Sequence, residues 1–361
     1  MLIDSHIHYD ISGSALKIIR ALNITSADYC CLQSQIYKSK INQNMDCFFA
    51  KLLCKGRVYI NIALDSTLYD DWTKMDQMPN YLKRMMECGA DGIKMIEGKP
   101  TTRKEFNIPN FDDPLFDATF KYLEDQKIPI TWHVNDPEEF WDEKKVPDWA
   151  RRSGWFYADG TYVNNLDQYK QVDNLLKKHP NLVITFAHFF FLSQDLKRLG
   201  ELFDTYPNVS VDITPGVELF TNMSSNIEEA KAFFKKYADR ILYGTDISVE
   251  IGEKNELNED DAIIRYNLCH DFLTKKHFVL PGNKESLLGS DDLVLNGLEL
   301  NQEEVEKIES LNFLRRYNEV KPLNIPKILV EIEKHQKALI QKGLDTSYLN
   351  KIKEAFENYG K

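Results

Sequence analysis

The chain has 361 residues, 43% of them hydrophobic and 12% aromatic, enough for one large domain of the α/β-barrel type or two smaller ones. Its formal charge of −11 comes with no compensating basic stripe, which argues against nucleic acid and favours a small-molecule substrate. No apolar run approaches the roughly 20 residues that span a bilayer, so no membrane partner is expected. Cys30, Cys31, Cys47, Cys54, Cys88 and Cys269 form no Cys-x-x-Cys pair and lie mostly in apolar stretches, as reduced thiols of a cytosolic protein would.

Met1-Leu2-Ile3 reads as a short buried strand that delivers Asp4-Ser5-His6-Ile7-His8 to a site. Alternate side chains of a strand share a face, so His6 and His8 point the same way and form a two-ligand metal pincer. Neutral imidazole suits zinc, iron, nickel and copper, so the pair alone does not choose the metal. A strand that opens on the first residue leaves no room for a signal peptide, and the expected location is the cytoplasm.

Further strands are expected at Asp28 to Gln33, Val58 to Leu64, Gly92 to Ile96, Ile130 to His133, Val183 to Ala187, Val209 to Ile213 and Ile241 to Tyr243. With the first, near Leu2 to His6, they make eight. Each is continuous and apolar, as parallel strands covered on both faces should be, and amphipathic helices such as Asn80 to Cys88 and Pro114 to Gln126 lie between them. Eight such units predict an α/β fold, a (β/α)8 TIM barrel over residues 1–321. An aromatic insert, Asp136 to Asn165, follows the fifth strand and holds Trp141, Trp149 and Trp155, as a lid or specificity loop would. After Pro322 comes a charged helical extension, 322–361, with helices expected at Ile325 to Lys342 and Tyr348 to Tyr359, of the kind that caps a barrel or packs in a homodimer.

Polar residues gather at the carboxyl ends of these strands. His133 ends the fifth, His188 the sixth, Asp246 follows the eighth and Lys94 lies in the fourth, and a barrel converges those ends on one mouth. Asp212, ending the seventh, is a candidate to orient a ligand histidine. Asn135 and Asp136 suit either a turn or the mouth, Trp132 suits the core, and Lys94 has a neighbouring acid, Glu97, as its structural alternative. His179, His270, His277 and His335 read as surface residues.

Ile-Asp-Ser-His-Ile-His at the start, Gly-Ile-Lys around Lys94, Trp-His-Val, Phe-Ala-His, Leu-Tyr-Gly-Thr-Asp and a closing segment from Leu298 to Arg316 together resemble the amidohydrolase superfamily, in the amidohydrolase 2 branch of decarboxylases and lactonases. The resemblance implies that His6, His8, His133 and Asp246 bind one divalent metal, zinc being the first expectation. It places His188 beside the metal water. An open position on such a metal drops the pKa of water from about 15.7 towards 7. Asp246 is expected to take the proton in a hydrolysis, and His188 where hydroxide adds to a carbon–carbon double bond. Lys94 is carboxylated and bridging in binuclear members, but free to meet a substrate carboxylate in the mononuclear branch, which this chain matches better. The expected function is metal-dependent hydrolysis of an amide, lactone or ester, with non-oxidative decarboxylation as the alternative. A nuclease of the TatD type shares the opening motif but has glutamate where Lys94 stands.

Overall fold

The structure is a computed structural model and describes residues 1–9, 15–36, 42–216, 218–249, 257–282 and 291–359. Nine parallel strands form one curled sheet: β1 (Ile3–Tyr9), β2 (Tyr29–Gln33), β3 (Val58–Ala63), β4 (Gly92–Gly98), β5 (Ile130–Val134), β6 (Ile184–Phe186), β7 (Val209–Asp212), β8 (Ile241–Leu242) and β9 (Ile247–Val249). Their spatial order is β8-β7-β6-β5-β4-β3-β2-β1-β9. Every residue of β3 and of β5 is buried, because the strands are covered on both faces. All eight expected strands are present. The ninth went unseen because β9 is three residues with a serine at its centre and leaves no apolar run.

β8 and β9 are the two edges of the sheet, yet only residues 243–246 separate them. The Ser5 amide donates to the Tyr243 carbonyl at 3.0 Å and the Asp246 amide to the His6 carbonyl at 2.9 Å. The sheet therefore curls back on itself in a TIM-barrel-like α/β fold, and β1 becomes an interior strand between β2 and β9.

Inside the curl the side chains lie in layers. Ile3, Cys31, Tyr59 and Leu242 form an apolar floor with Phe313 and Tyr317 from the segment Gln302–Tyr317. Above it the Asn61 amide donates towards Gln33, Thr131 and the Tyr317 hydroxyl at 3.1, 3.0 and 2.8 Å. The top layer holds His6, Lys94 and Asp212, all buried. Two one-residue bulges shape this end of the sheet, in β1 between Asp4 and Ile7 and in β4 between Met95 and Gly98. Asp4 holds the first bulge by accepting from the His6 amide at 3.1 Å while its other oxygen takes the Thr245 hydroxyl.

The expected helices appear as Met78–Cys88, as a 3₁₀ turn Pro114–Phe116 running into Asp117–Asp125, and in the tail as Ile325–Gln341 and Ser347–Asn358. Gln302–Tyr317 is interrupted by a π-helical turn over Lys307–Leu311. Within the insert, Phe140, Val146, Ala150 and Tyr157 form a small core of their own, walled by Trp141, Trp149 and Trp155. An antiparallel ribbon, His277–Leu280 against Leu293–Asn296, was not anticipated. All six cysteines are free and buried. Trp132 is core, packed between Phe111 and Phe186. His179 departs from its expected surface position: it is buried, with Nδ1 3.3 Å from Glu124. Among the described residues no helix is long and apolar enough to cross a membrane.

Candidate metal centre

His6 lies within the β1 bulge and His8 just beyond it, and the two rings meet with their Nε2 atoms 3.2 Å apart. Each ring is oriented from behind. His6 Nδ1 donates to Asp212 Oδ2 at 2.9 Å, which leaves Nε2 carrying the lone pair. His8 Nδ1 has two neighbours, the Gln33 carbonyl at 3.2 Å and the Gln35 amide at 2.6 Å. A carbonyl can only accept, whereas a side-chain amide can turn its oxygen inward, so Nδ1 is assigned as the donor and Nε2 again faces the site. Asp246 Oδ1 lies 3.1 Å from His8 Nε2 and 3.7 Å from His6 Nε2. These three ligand atoms lie within 4.8 Å of one another.

Burial lowers the His6 pKa to about 4, with Lys94 pushing the same way against Asp212. Against the cost of burial, the facing His8 ring and the neighbouring His188 hold the Asp246 carboxyl well below its usual range. Neutral imidazole and ionised carboxylate are the ligating forms. Three lone pairs facing one another at these distances repel unless a cation stands among them. The donor set therefore fits a divalent ion of the imidazole- and carboxylate-binding kind. Lys94 Nζ, 3.0 Å from His6 Nε2, meets part of that demand. Lys94 makes no ion pair with Glu97, whose carboxyl is taken by the Tyr69 hydroxyl. Arg265, from the helix Glu259–Thr274, stands on the far side of Asp246, with Nη1 3.7 Å from Oδ2 and 3.3 Å from the main-chain oxygen.

His188 is presented differently. It opens a run of four residues, His188 to Phe191, whose φ values lie between 53° and 57°, the left-handed region that costs an L-residue roughly 1 kcal/mol or more. The turn is held by the His188 amide donating to Asp212 Oδ1 at 2.8 Å, by the Phe190 ring stacked on Phe186 at 3.9 Å and by the Tyr169 hydroxyl on the Phe190 carbonyl. Thr214 gives its hydroxyl proton to Asp212 and so accepts from His188 Nδ1 at 3.0 Å. His188 therefore carries its free lone pair on Nε2. Burial lowers its pKa to about 3.

The amidohydrolase model known as amidohydrolase 2 matches residues 73–318, more than half of the chain. The chain belongs to the amidohydrolase family. Among solved structures, 4-oxalomesaconate hydratase from Rhodopseudomonas palustris superposes with a TM-score of 0.50 at 14% identity, covering 94% of this chain and 99% of the other. A 2,6-dihydroxybenzoate decarboxylase gives 0.50 at 14% identity, covering 85% and 88%. A protein described as amidohydrolase II gives 0.50 at 14% identity, covering 88% and 100%. At such identities the likeness concerns the fold. No match is found among curated proteins.

In this amidohydrolase His6, His8 and Asp246 converge, and Lys94 and His188 border them. The rings of His6 and His188 are 5.7 Å apart. His133 is not drawn into the tight group. Its ring lies 4.9 Å from that of His188, and its Nε2 meets the Asn135 carbonyl at 2.9 Å and Asp136 at 3.3 Å. Arg151 and Arg152, the insert's candidate cations for a substrate carboxylate, do not reach the centre: Arg151 covers the Phe156 ring and Arg152 is exposed. Sequence reading passed over Asp4, Thr214 and Arg265. Asp4 stands inside the opening motif and Thr214 two residues beyond Asp212, so local spacing gave a signal for both; Arg265 lies on a helix, where a strand-end search does not look.

Proposed function

We propose that this amidohydrolase is a metal-dependent enzyme acting on a small carboxylate-bearing molecule, with hydrolysis of an amide, lactone or ester bond as the first reading. The facing lone pairs of His6 Nε2, His8 Nε2 and Asp246 Oδ1 carry it. Those three residues would hold one divalent ion, zinc first, with His133 as a further donor through Nδ1. Such an ion, when bound, supplies Lewis-acid polarisation and acidifies a water from pKa about 15.7 towards 7. Asp246 accepts the proton of the attacking water while Arg265 steadies its carboxylate. His188 Nε2, a lone pair fixed by Thr214, takes a proton or orients the oxygen that develops charge. Lys94 is buried, and among the described residues it has no carboxylate within ion-pair distance, so its ammonium suits a substrate carboxylate as a point charge.

That same lysine favours the second reading, decarboxylation at the same centre. The two part on products: a substrate panel of lactones, amides and aromatic carboxylates separates acid release from carbon dioxide release. Elemental analysis of protein purified without chelator should give about one ion per chain. None would overturn the reading, and two with a carboxylated Lys94 would replace its stoichiometry. His188→Asn should abolish turnover and keep the metal; loss of metal would make His188 a ligand.

A further inference from the structure

The insert after β5 meets His133 through the Asp136 carboxylate, which Tyr157 holds from deeper in the insert. Tyr157 belongs to the insert's own aromatic core, with Phe140 and Trp141 against its ring. Its hydroxyl donates to Asp136 Oδ2 at 2.5 Å, and Asp136 Oδ1 lies 3.3 Å from His133 Nε2. All three residues are buried. The Asn135 carbonyl approaches the same nitrogen at 2.9 Å from a left-handed backbone, φ 70°. Asn135 is itself fixed by the Gln168 amide on its side-chain oxygen at 2.7 Å, and Gln168 by Arg103 at 3.1 Å.

Two acceptors on Nε2 leave only one arrangement. Nε2 carries the hydrogen and Nδ1 the lone pair. A carboxylate behind an imidazole both selects the tautomer and raises the basicity of the opposite nitrogen. Asp136 stands to His133 as Asp212 stands to His6, but Asp212 is anchored by the barrel whereas Asp136 is anchored by the insert. Lys99, 3.9 Å from Asp136 and 4.7 Å from the Trp155 ring centroid, is a second tie between the insert and this carboxylate.

We propose that Asp136 and Tyr157 are positioning residues, through which the folded insert holds His133 in the Nδ1 lone-pair tautomer that makes it a metal donor. The inference rests on the metal-dependent reading above and gives the insert a part in building the centre as well as in choosing substrates. A lid with no such part would leave the ion's affinity alone.

The test titrates zinc into chelator-stripped protein by calorimetry and reads the His133 tautomer from imidazole ¹⁵N shifts. Tyr157→Phe removes one hydroxyl from an intact aromatic core and should weaken zinc about tenfold; Asp136→Ala, which removes the carboxylate, should approach a hundredfold. Asp136→Asn, still able to accept from Nε2, should recover much of the loss. Trp149→Phe loosens the insert core without touching the chain of hydrogen bonds, and should lower the melting temperature while leaving zinc affinity in place. Unchanged zinc affinity and an unchanged His133 tautomer in both Tyr157→Phe and Asp136→Ala would overturn the proposal. A wild-type protein that takes up no zinc, manganese or iron would instead overturn the metal-dependent reading on which it rests.

Discussion

The two halves of the centre are built by opposite means. His6 and His8 stand on β1, and Asp246, a left-handed residue (φ 56°) just before β9, is tied to them by its amide on the His6 carbonyl, so backbone pairing brings the three together. His133 is the penultimate residue of β5, and His188 stands beyond the end of β6. They are aimed by a left-handed run, by the left-handed Asn135 and by carboxylates borrowed from β7 and the insert. Strand-built geometry is inexpensive and rigid; turn-built geometry stores backbone strain and depends on distant packing for its upkeep. The ion should therefore owe most of its affinity to the first half, and the chemistry its adjustability to the second.

The sharpest way to break this contrast is ligand deletion. Structural zinc sites with four ligands are worth about 10–16 kcal/mol, or roughly 3 per ligand. His6→Ala and His8→Ala should each cost a hundredfold or more in zinc affinity, and His133→Ala less; an equal loss at His133 would erase the distinction. A second effect concerns Glu97 on β4. Burial raises the Glu97 carboxyl to about 7, so it is neutral when folded and ionised when unfolded. Its stabilising share is present below its unfolded pKa of about 4.5 and is lost as pH rises towards 7. Glu97→Gln removes that dependence. Denaturation of both proteins between pH 4.5 and 7 should show the variant gaining on wild type by on the order of 3 kcal/mol, and parallel curves would refute it. Smaller still is Asp212→Asn, which weakens the orientation of His6 while keeping its shape. Zinc affinity should fall by about 10- to 100-fold, and turnover with it, because Asp212 also braces the His188 turn.

How much of this could be read in the amino-acid order follows the same division. The eight strands announced themselves because continuous apolar runs such as Val58–Ala63 have no other use, and the His-x-His pincer followed from strand alternation. That alternation gave the right face for His6 and His8 although the bulge between Asp4 and Ile7 includes His6. The orientation of His133 was not legible: it depends on Asp136 and Tyr157 meeting across 21 residues of insert, and on a left-handed Asn135 that no local pattern demands. Nor was the four-residue turn at His188, where three phenylalanines occupy conformations usually left to glycine and only their packing explains why.

The π-helical turn at Lys307–Leu311 has the geometry of a one-residue insertion. By widening the helix it leaves the Ile308 carbonyl free to accept the Tyr243 amide at 2.9 Å, and the Tyr243 carbonyl in turn receives the Ser5 amide. Removing a single residue there would restore regular winding and swing everything beyond it by about 100°. Phe313 and Tyr317 would turn out of the barrel floor, and the seam between the last strands and the first would lose its brace. One extra residue in this helix thus sets the closure that carries Asp246 to His8, so tolerance to length change should be lower in this half-buried segment than in most of the loops around the mouth.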